Sequence, residues 1–392
     1  MNKLLIAGGS HADIPVIIAA KQMGYWVVTS GNNPDDAGHA YSDEKHLVDY
    51  SDKEALLRLA EELNVSAVIA SANDFSALSC AYVSQKLGLS GHDALEVSQI
   101  IHHKDKFRAF ALQKKLPVPK AVRVTKDKDL NNIADLTYPV LVKPVDLSGG
   151  KGITKVVNHN LLTDALEKAF AVTRSDAVVV EEFIEGSNHG YSTFIQNGKV
   201  RFAFMDDEHY FINPYLVSGA STSLHYTKHI ALELNRVLET IAQDLKLCDG
   251  LLHVQFILSN GRPYLIEICR RTPGDLYVKL VEYATGFRMS EAIVKSALGM
   301  PIESYTLEAL KYITRHCVMS DTKGIVKNVR YGSFQHRLFD KMVFYKPGDL
   351  IENIMTYKAE IDFFKYDDRE DERHSLEILQ REVAIEFREA EA

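Results

Sequence analysis

The sequence predicts an α/β protein that continues as α+β: a parallel sheet flanked by helices at the N-terminus, a middle region of shorter strands and hairpins, and a small mixed α/β segment at the C-terminus. Three observations carry this expectation. From residue 3 to residue 87, short apolar runs alternate with helical patterns, as in a parallel sheet with helices on both faces. At Leu116-Pro-Val-Pro119 the prolines fix φ, remove backbone donors and end a helix, and the pattern changes beyond them. Asn197-Gly198 and Asn260-Gly261 then each separate two β-rich runs, the strongest short-range hairpin signal a sequence offers.

Taken in order, Lys3-Leu-Leu-Ile-Ala7 reads as a strand running into Gly8-Gly-Ser-His-Ala-Asp-Ile-Pro15 and a helix closed by Gly24. Tyr25-Trp-Val-Val-Thr29 is a second strand, followed by helix 52–63, strand 67–70 and helix 75–87. Ligands of such sheets lie at the carboxyl ends of the strands, which would gather Gly8, Gly9, His11, Asn32, Asn73 and Asp74 around one crevice unless these residues only make tight turns. A helix begins near Asp105. Strands near 121–124, 140–142, 155–157 and 178–180 accompany a helix over 161–172. Hairpins over 191–204 and 251–268 flank a helix over 229–245, and helices follow over 275–285 and 289–297. The segment 206–226 is polar and aromatic and reads as a long loop, with Ser218, Ser221 and His225 as site candidates. Strands near 311–319, 342–345 and 360–364 and a terminal helix over 373–388 complete the chain.

Composition narrows the function classes. The chain has 392 residues, enough for two or three domains, and a net charge of −8, which argues against general nucleic-acid binding because that runs on clustered Lys and Arg. The four cysteines are scattered without CxxC spacing and no signal peptide precedes them, so a cytoplasmic location is expected. No apolar run approaches the roughly 18 residues of a membrane span.

Chemistry concentrates in three stretches. Tyr138-Pro-Val-Leu-Val-Lys-Pro-Val-Asp-Leu-Ser-Gly-Gly-Lys-Gly-Ile153 places Lys143 inside an apolar run, where an ammonium is costly without an anionic partner. A glycine-rich turn follows, whose amides can approach phosphate oxygens closely. Val178-Val-Val-Glu-Glu-Phe-Ile-Glu-Gly186 is an apolar strand running into carboxylates. The third stretch, 253–271, is a hairpin ending in Glu267, Cys269, Arg270 and Arg271, a grouping able to hold a divalent cation and steady developing negative charge.

That order resembles the ATP-grasp superfamily, and within it the ligases that join a carboxylate to an amine through an acyl-phosphate. The resemblance covers residues 1 to about 300. Its specificity rests on the combination, since Ser148-Gly-Gly-Lys-Gly152 alone is a common kind of turn. It implies a pre-ATP-grasp domain over 1–100, a two-lobed ATP-grasp domain over 101–300 with a lid near 146–152, and a C-terminal cap over 301–392.

The resemblance also implies ATP and Mg²⁺ and assigns residues to them. Lys106 would reach the α- and β-phosphates, with Lys104 competing for that place; Lys143 would contact phosphate, and Ser148, Gly149 and Gly150 would offer lid amides. Glu181, Glu182, Phe183 and Ile184 would form the hinge that reads adenine, and His189 falls near a ribose-binding position. The family places a carboxylate twelve residues before a second one, then an asparagine and an arginine; here Gln255, Glu267, Cys269 and Arg271 stand there. Glu267 and Gln255 would hold Mg²⁺, whereas a cysteine sulfur is a poor partner for a hard cation. Arg271, with Lys143, would steady the transferring phosphoryl group, and Arg270 would pair with a substrate carboxylate or a local acid. The implied activity is ATP-dependent ligation of small-molecule carboxylate and amine substrates, in a possible homodimer. An enzyme using bicarbonate, a thiol or formate is the alternative, or an ATP-binding protein that no longer catalyses, suggested by Gln255 and Cys269.

Overall fold

The computed structural model describes residues 2–126, 130–147, 149–303, 305–307, 309–354 and 356–388, so Ser148 lies outside the described residues, as do the side chains of 130–132. The N-terminal region is a parallel sheet in the order Glu44–His46, Trp26–Ser30, Lys3–Ala7, Ala67–Ala70. The strands Lys3–Ala7, Trp26–Ser30 and Ala67–Ala70 are buried on both faces, which is why they read as apolar runs without alternation. Local chemistry sets the helix starts: Asp52 Oδ1 accepts from the amides of Glu54 and Ala55, and Asn73 accepts from Phe75 N. The second cap stations Asp74 at the carboxyl end of the strand Ala67–Ala70.

A second, antiparallel sheet has the order Ala121–Thr125, Ala177–Glu182, Val140–Pro144, Thr154–Val156, and the helix Leu162–Val172 packs against it. The third sheet has eight strands: Arg262–Cys269, Gly250–Ser259, Ser187–Gln196, Lys199–His209, Gly219–Thr222, Tyr312–Val318, Glu360–Tyr366 and Leu338–Val343. Both asparagine-glycine turns lie where predicted. Asn197 and Gly198 have φ of 52° and 68°, Asn260 and Gly261 50° and 75°, the paired positive angles of a type I′ turn that matches strand twist. The C-terminal strands extend this sheet, while Leu350–Ile351, Gly324–Arg330 and Ala384–Phe387 form a small sheet beside it.

Two expectations are corrected. The segment 206–226 is not one loop: Lys199–His209 carries its strand through Asp206, and Gly219–Thr222 is the next strand. Alternate side chains of Asp206-Asp-Glu-His209 reach opposite faces of the sheet, and buried polar groups on both faces disguise the period of two. The terminal helix is Arg369–Glu382, and Ala384–Phe387 leaves it to pair with Gly324–Arg330, as its β-branched and aromatic residues favour. Among the described residues no helix is long and apolar enough to cross a membrane.

One hydrophobic cluster unites the three regions: Leu4, Ile17 and Ile69 from the parallel sheet, Phe194, Phe204 and Leu251 from the central strands, and Ile313 and Phe363 from the C-terminal strands. Phe363 is fully buried. Phe363→Ala should cost about 3–5 kcal/mol and lower the denaturation midpoint of the whole chain in one transition. A separate early unfolding of the C-terminal strands alone, followed by chemical denaturation with far-UV circular dichroism and intrinsic fluorescence, would contradict this shared core.

Candidate active site

The site is a cleft of about 590 Å³ between the second sheet and the eight-stranded sheet, edged by Ala72 of the N-terminal region. At one end Lys143, Lys104, Lys155, Gly149, Gly150, Phe183, Ile184 and Asn188 line it. Lys143 sits on the strand Val140–Pro144, and its ammonium is bonded to the buried Glu181 carboxylate, which also accepts from Arg108 Nε at 2.9 Å. Burial pushes Glu181 up, but the Arg108 and Lys143 charges outweigh it and hold the carboxyl at about 2. Lys104 Nζ donates to Leu147 O at 2.7 Å and stands 3.8 Å from Glu267 Oε2, tying the glycine-rich loop to the carboxylate end of the hairpin.

Lys106 is elsewhere. It donates to Gln99 Oε1 at 2.8 Å and does not line the cleft. Two helical positions subtend about 200°, so the helix Lys104–Gln113 cannot aim both lysines the same way, and Lys104 is the one in the cleft. Glu181 lies beneath Lys143 instead of facing the cavity, and Glu182 Oε1 accepts from Thr137 N, so of these four residues Phe183 and Ile184 line the cleft. His189 also points away: its neighbour Asn188 lines the cleft, and strand alternation sends the His189 ring to the opposite face, against Phe256.

The middle of the cleft is carboxylate-rich. Strand register places Asp206 beside Gly190, Gly190 beside Gln255 and Gln255 beside Glu267, one row across four strands. Gly190 is required there, because a Cβ would lie 2.4 Å from Asp206 Oδ1. Gln255 Nε2 donates to Glu208 Oε1 at 2.6 Å, and Tyr210 OH donates to Glu208 Oε2 at 2.6 Å. Tyr277 OH donates to Asp206 Oδ1, while Asp206 Oδ2 is buried with no partner among the described residues. Burial raises both carboxyls, and the Glu208 charge raises Asp206 further. Cys269 lines the cleft as a buried thiol, pushed up to about 11 by burial.

The far end is cationic and built from distant parts of the chain. Arg271 Nε donates to Asp74 Oδ1 at 2.8 Å, so the first residue of the helix Asp74–Leu87 orients it. Arg315, from the strand Tyr312–Val318, donates to Asp275 O at 3.1 Å and keeps a buried Nε with no partner among the described residues. Lys358 Nζ is 2.6 Å from Asp275 Oδ1, and His11 Nε2 is 3.4 Å from the same oxygen. Arg270 turns out of the cleft to Asp93 at 2.9 Å, the local acid of the two partners expected for it. Ser218 and Ser221 are buried and bonded around His209, supporting the strands and not the cavity.

Residues 103–274 match the ATP-grasp domain family. The chain carries an ATP-grasp domain. The C-terminal section of the carbamoyl phosphate synthase large chain of Methanocaldococcus jannaschii is 23% identical over 314 residues, 75% of this chain and 48% of that protein. The chain thus spans about half the length of the curated relatives it matches. Among solved structures, the L-amino acid ligase of Bacillus licheniformis superposes with a TM-score of 0.83 at 17% identity, covering 99% of both chains. The biotin carboxylase domain of Hydrogenobacter thermophilus 2-oxoglutarate carboxylase, in complex with MgADP, ADP and bicarbonate, superposes with a TM-score of 0.78 at 18% identity over 98% of this chain and 90% of that one. Both superpositions extend over nearly the whole of this chain, including the C-terminal strands.

Several cleft residues escape sequence reading: Asp206 and Glu208, hidden in a segment read as a loop, and Asp275, Arg315 and Lys358, which only the tertiary fold gathers. One signal was present. Arg315 interrupts the β-rich run Tyr312-Ile-Thr-Arg-His-Cys-Val318 as Lys143 interrupts its own.

The Glu181 pair generates a pH prediction. A carboxyl held at about 2 when folded and near its usual 4.5 when unfolded contributes stability that is complete above 4.5 and lost as pH falls towards 2. Glu181→Gln leaves two buried cations short of a partner and should cost about 3–5 kcal/mol at neutral pH. The difference from wild type, measured by urea denaturation, should narrow between about pH 4.5 and pH 3; a gap that stays constant would refute the pairing.

Proposed function

We propose that the protein is an ATP-dependent ligase that activates a small-molecule carboxylate as an acyl-phosphate for capture by an amine, releasing ADP and phosphate. The observation that carries this reading is a single cavity joining Lys104, Lys143 and the Gly149-Gly150 loop to Glu267 and Glu208, and onward to Arg271, Arg315 and Lys358. Lysines and open glycine amides at one end suit a triphosphate, and a cluster of cations at the other, with Arg315 Nε unpartnered among the described residues, suits a carboxylate. Residues 301–392 supply Arg315 and Lys358, so this reading makes the C-terminal segment part of the substrate end.

Mg²⁺ fits the middle. Glu267 and Glu208 offer hard oxygens there, and the neutral Gln255 is hydrogen-bonded to Glu208, so an acid two strands away, reaching past Gly190, stands where position 255 has none. Two carboxyls raised by burial, one with an unpartnered oxygen, mark a place that gains from a cation. When bound there, Mg²⁺ would neutralise phosphate oxygens. Lys143 and Lys104 would hold the triphosphate, and Arg271, fixed by Asp74, would stabilise charge on the phosphoryl group in transfer. The Glu208 contact weighs against one of the two grounds for a protein that binds ATP without turnover, the acid missing from position 255.

The direct experiment is a screen of paired acids and amines, with ADP release and product mass as readouts. Turnover requiring both an acid and an amine is the expected result; turnover with bicarbonate and no amine, or nucleotide binding without turnover across the panel, would overturn the reading. Binding separates the two lysines as well. Lys104→Ala should weaken ADP binding about tenfold or more, some 1.4 kcal/mol, whereas Lys106→Ala should leave it within about twofold. The opposite order, measured by isothermal titration calorimetry, would contradict the placement of Lys104.

A further inference from the structure

His189 leaves the cleft for a second constellation on the opposite face of the eight-stranded sheet. Its Nδ1 lies 2.8 Å from Asp207 Oδ1, and His225 Nδ1 lies 2.9 Å from Asp207 Oδ2. One ligand atom from each of these three residues falls within 4.8 Å of the others. The surrounding groups are arranged as outer partners. Ser187 Oγ stands 2.6 Å from His189 Nε2, while Ser223 Oγ and Leu224 N donate to the two Asp207 oxygens at 2.5 and 2.9 Å. An imidazole anchored through one nitrogen presents the other as a ligand, and a carboxylate fixed by donors is held for coordination. His189 and Asp207 are buried and the His225 side chain is half-exposed, which leaves one open side.

We propose that His189, Asp207 and His225 bind a divalent transition-metal ion, with zinc the expected occupant and water at the open position. Two imidazoles and one carboxylate suit zinc and exclude magnesium, which takes oxygen ligands. Loading is a modest change. Ligands on a tetrahedral zinc stand about 3.3 Å apart, so the two hydrogen-bonded pairs open by about half an ångström and the ion takes the place of the shared Nδ1 protons, each neutral imidazole keeping its N–H on Nε2. Charge supports the same site. Burial and the Asp207 charge push the nearby Glu372 carboxyl up to about 9, and its Oε2 has no partner among the described residues. A cation on Asp207 would offset that surplus of buried acid. It would also brace the strand whose flanking residues, Asp206 and Glu208, face the cleft.

The test uses the full chain, stripped with EDTA and titrated with Co²⁺ and Zn²⁺. One equivalent of Co²⁺ should give the visible absorption of a four-coordinate ion, Zn²⁺ should displace it, and Zn²⁺ should raise the melting temperature. His225→Ala, at an exposed position that folding tolerates, should weaken Co²⁺ and Zn²⁺ binding at least tenfold. Glu267→Gln should leave the absorption intact, which separates this site from the middle of the cleft, where magnesium would bind. Absence of stoichiometric binding to the wild-type chain, or a Co²⁺ spectrum that survives His225→Ala and vanishes in Glu267→Gln, would overturn the proposal.

Discussion

The period of two along antiparallel strands, held in register across Asp206, Gly190, Gln255 and Glu267, is the constraint on which the site depends. It puts acidic and amide groups from three of the four strands on one face, while alternate residues of the same strands, among them Tyr191, Val254 and Phe256, pack under the helix Lys228–Asp244. A slip of one residue would exchange the two sets, burying carboxylates in the core and exposing aromatics in the cleft. Gly190 belongs to this constraint because the Asp206 carboxylate fills the space its side chain would need.

Around that row the cleft is lined by buried ions held in groups. Glu181 serves Lys143 and Arg108, Asp74 serves Arg271 and His102, and Asp275 serves Arg315, Lys358 and His11. Such pairs add little net stability against apolar residues of similar size, because the cost of desolvation nearly cancels the attraction. Their value is geometric. Each acid fixes a cation at the cleft wall, so side chains that would otherwise sample many rotamers are positioned before a ligand arrives. Arg315 is brought there by the same sheet that carries the acidic row, and Lys358, just ahead of the strand Glu360–Tyr366, joins it through Asp275.

Much of this was legible in the sequence. The alternating opening, both asparagine-glycine turns and the hairpin ending in Glu267 and Arg271 are local signals, and local signals survive in the fold. Lys143 was legible for an energetic reason, since an ammonium within an apolar strand demands a partner. What failed was non-local. Lys104 and Lys106 differ by two positions on a helix, and only packing decides which faces inward. Asp206 and Glu208 sit in a strand whose both faces carry buried polar groups, so hydropathy gives no period to read. His189 matched by position along the chain, but its neighbour Asn188 holds the cleft-facing parity. Arg315 and Lys358 lie 43 residues apart, joined only through Asp275.

The central claim is that the lysine end, the carboxylate row and the arginine end form one continuous site for a triphosphate and the acid it activates. A crystal structure of the chain with Mg²⁺ and a non-hydrolysable ATP analogue tests it most directly. The account predicts the phosphates between Lys104, Lys143 and the Gly149-Gly150 loop, with Mg²⁺ about 2.0–2.1 Å from oxygens of Glu267 and Glu208. A nucleotide seated outside this cleft, or a metal that ignores Glu208 and Glu267, would contradict it.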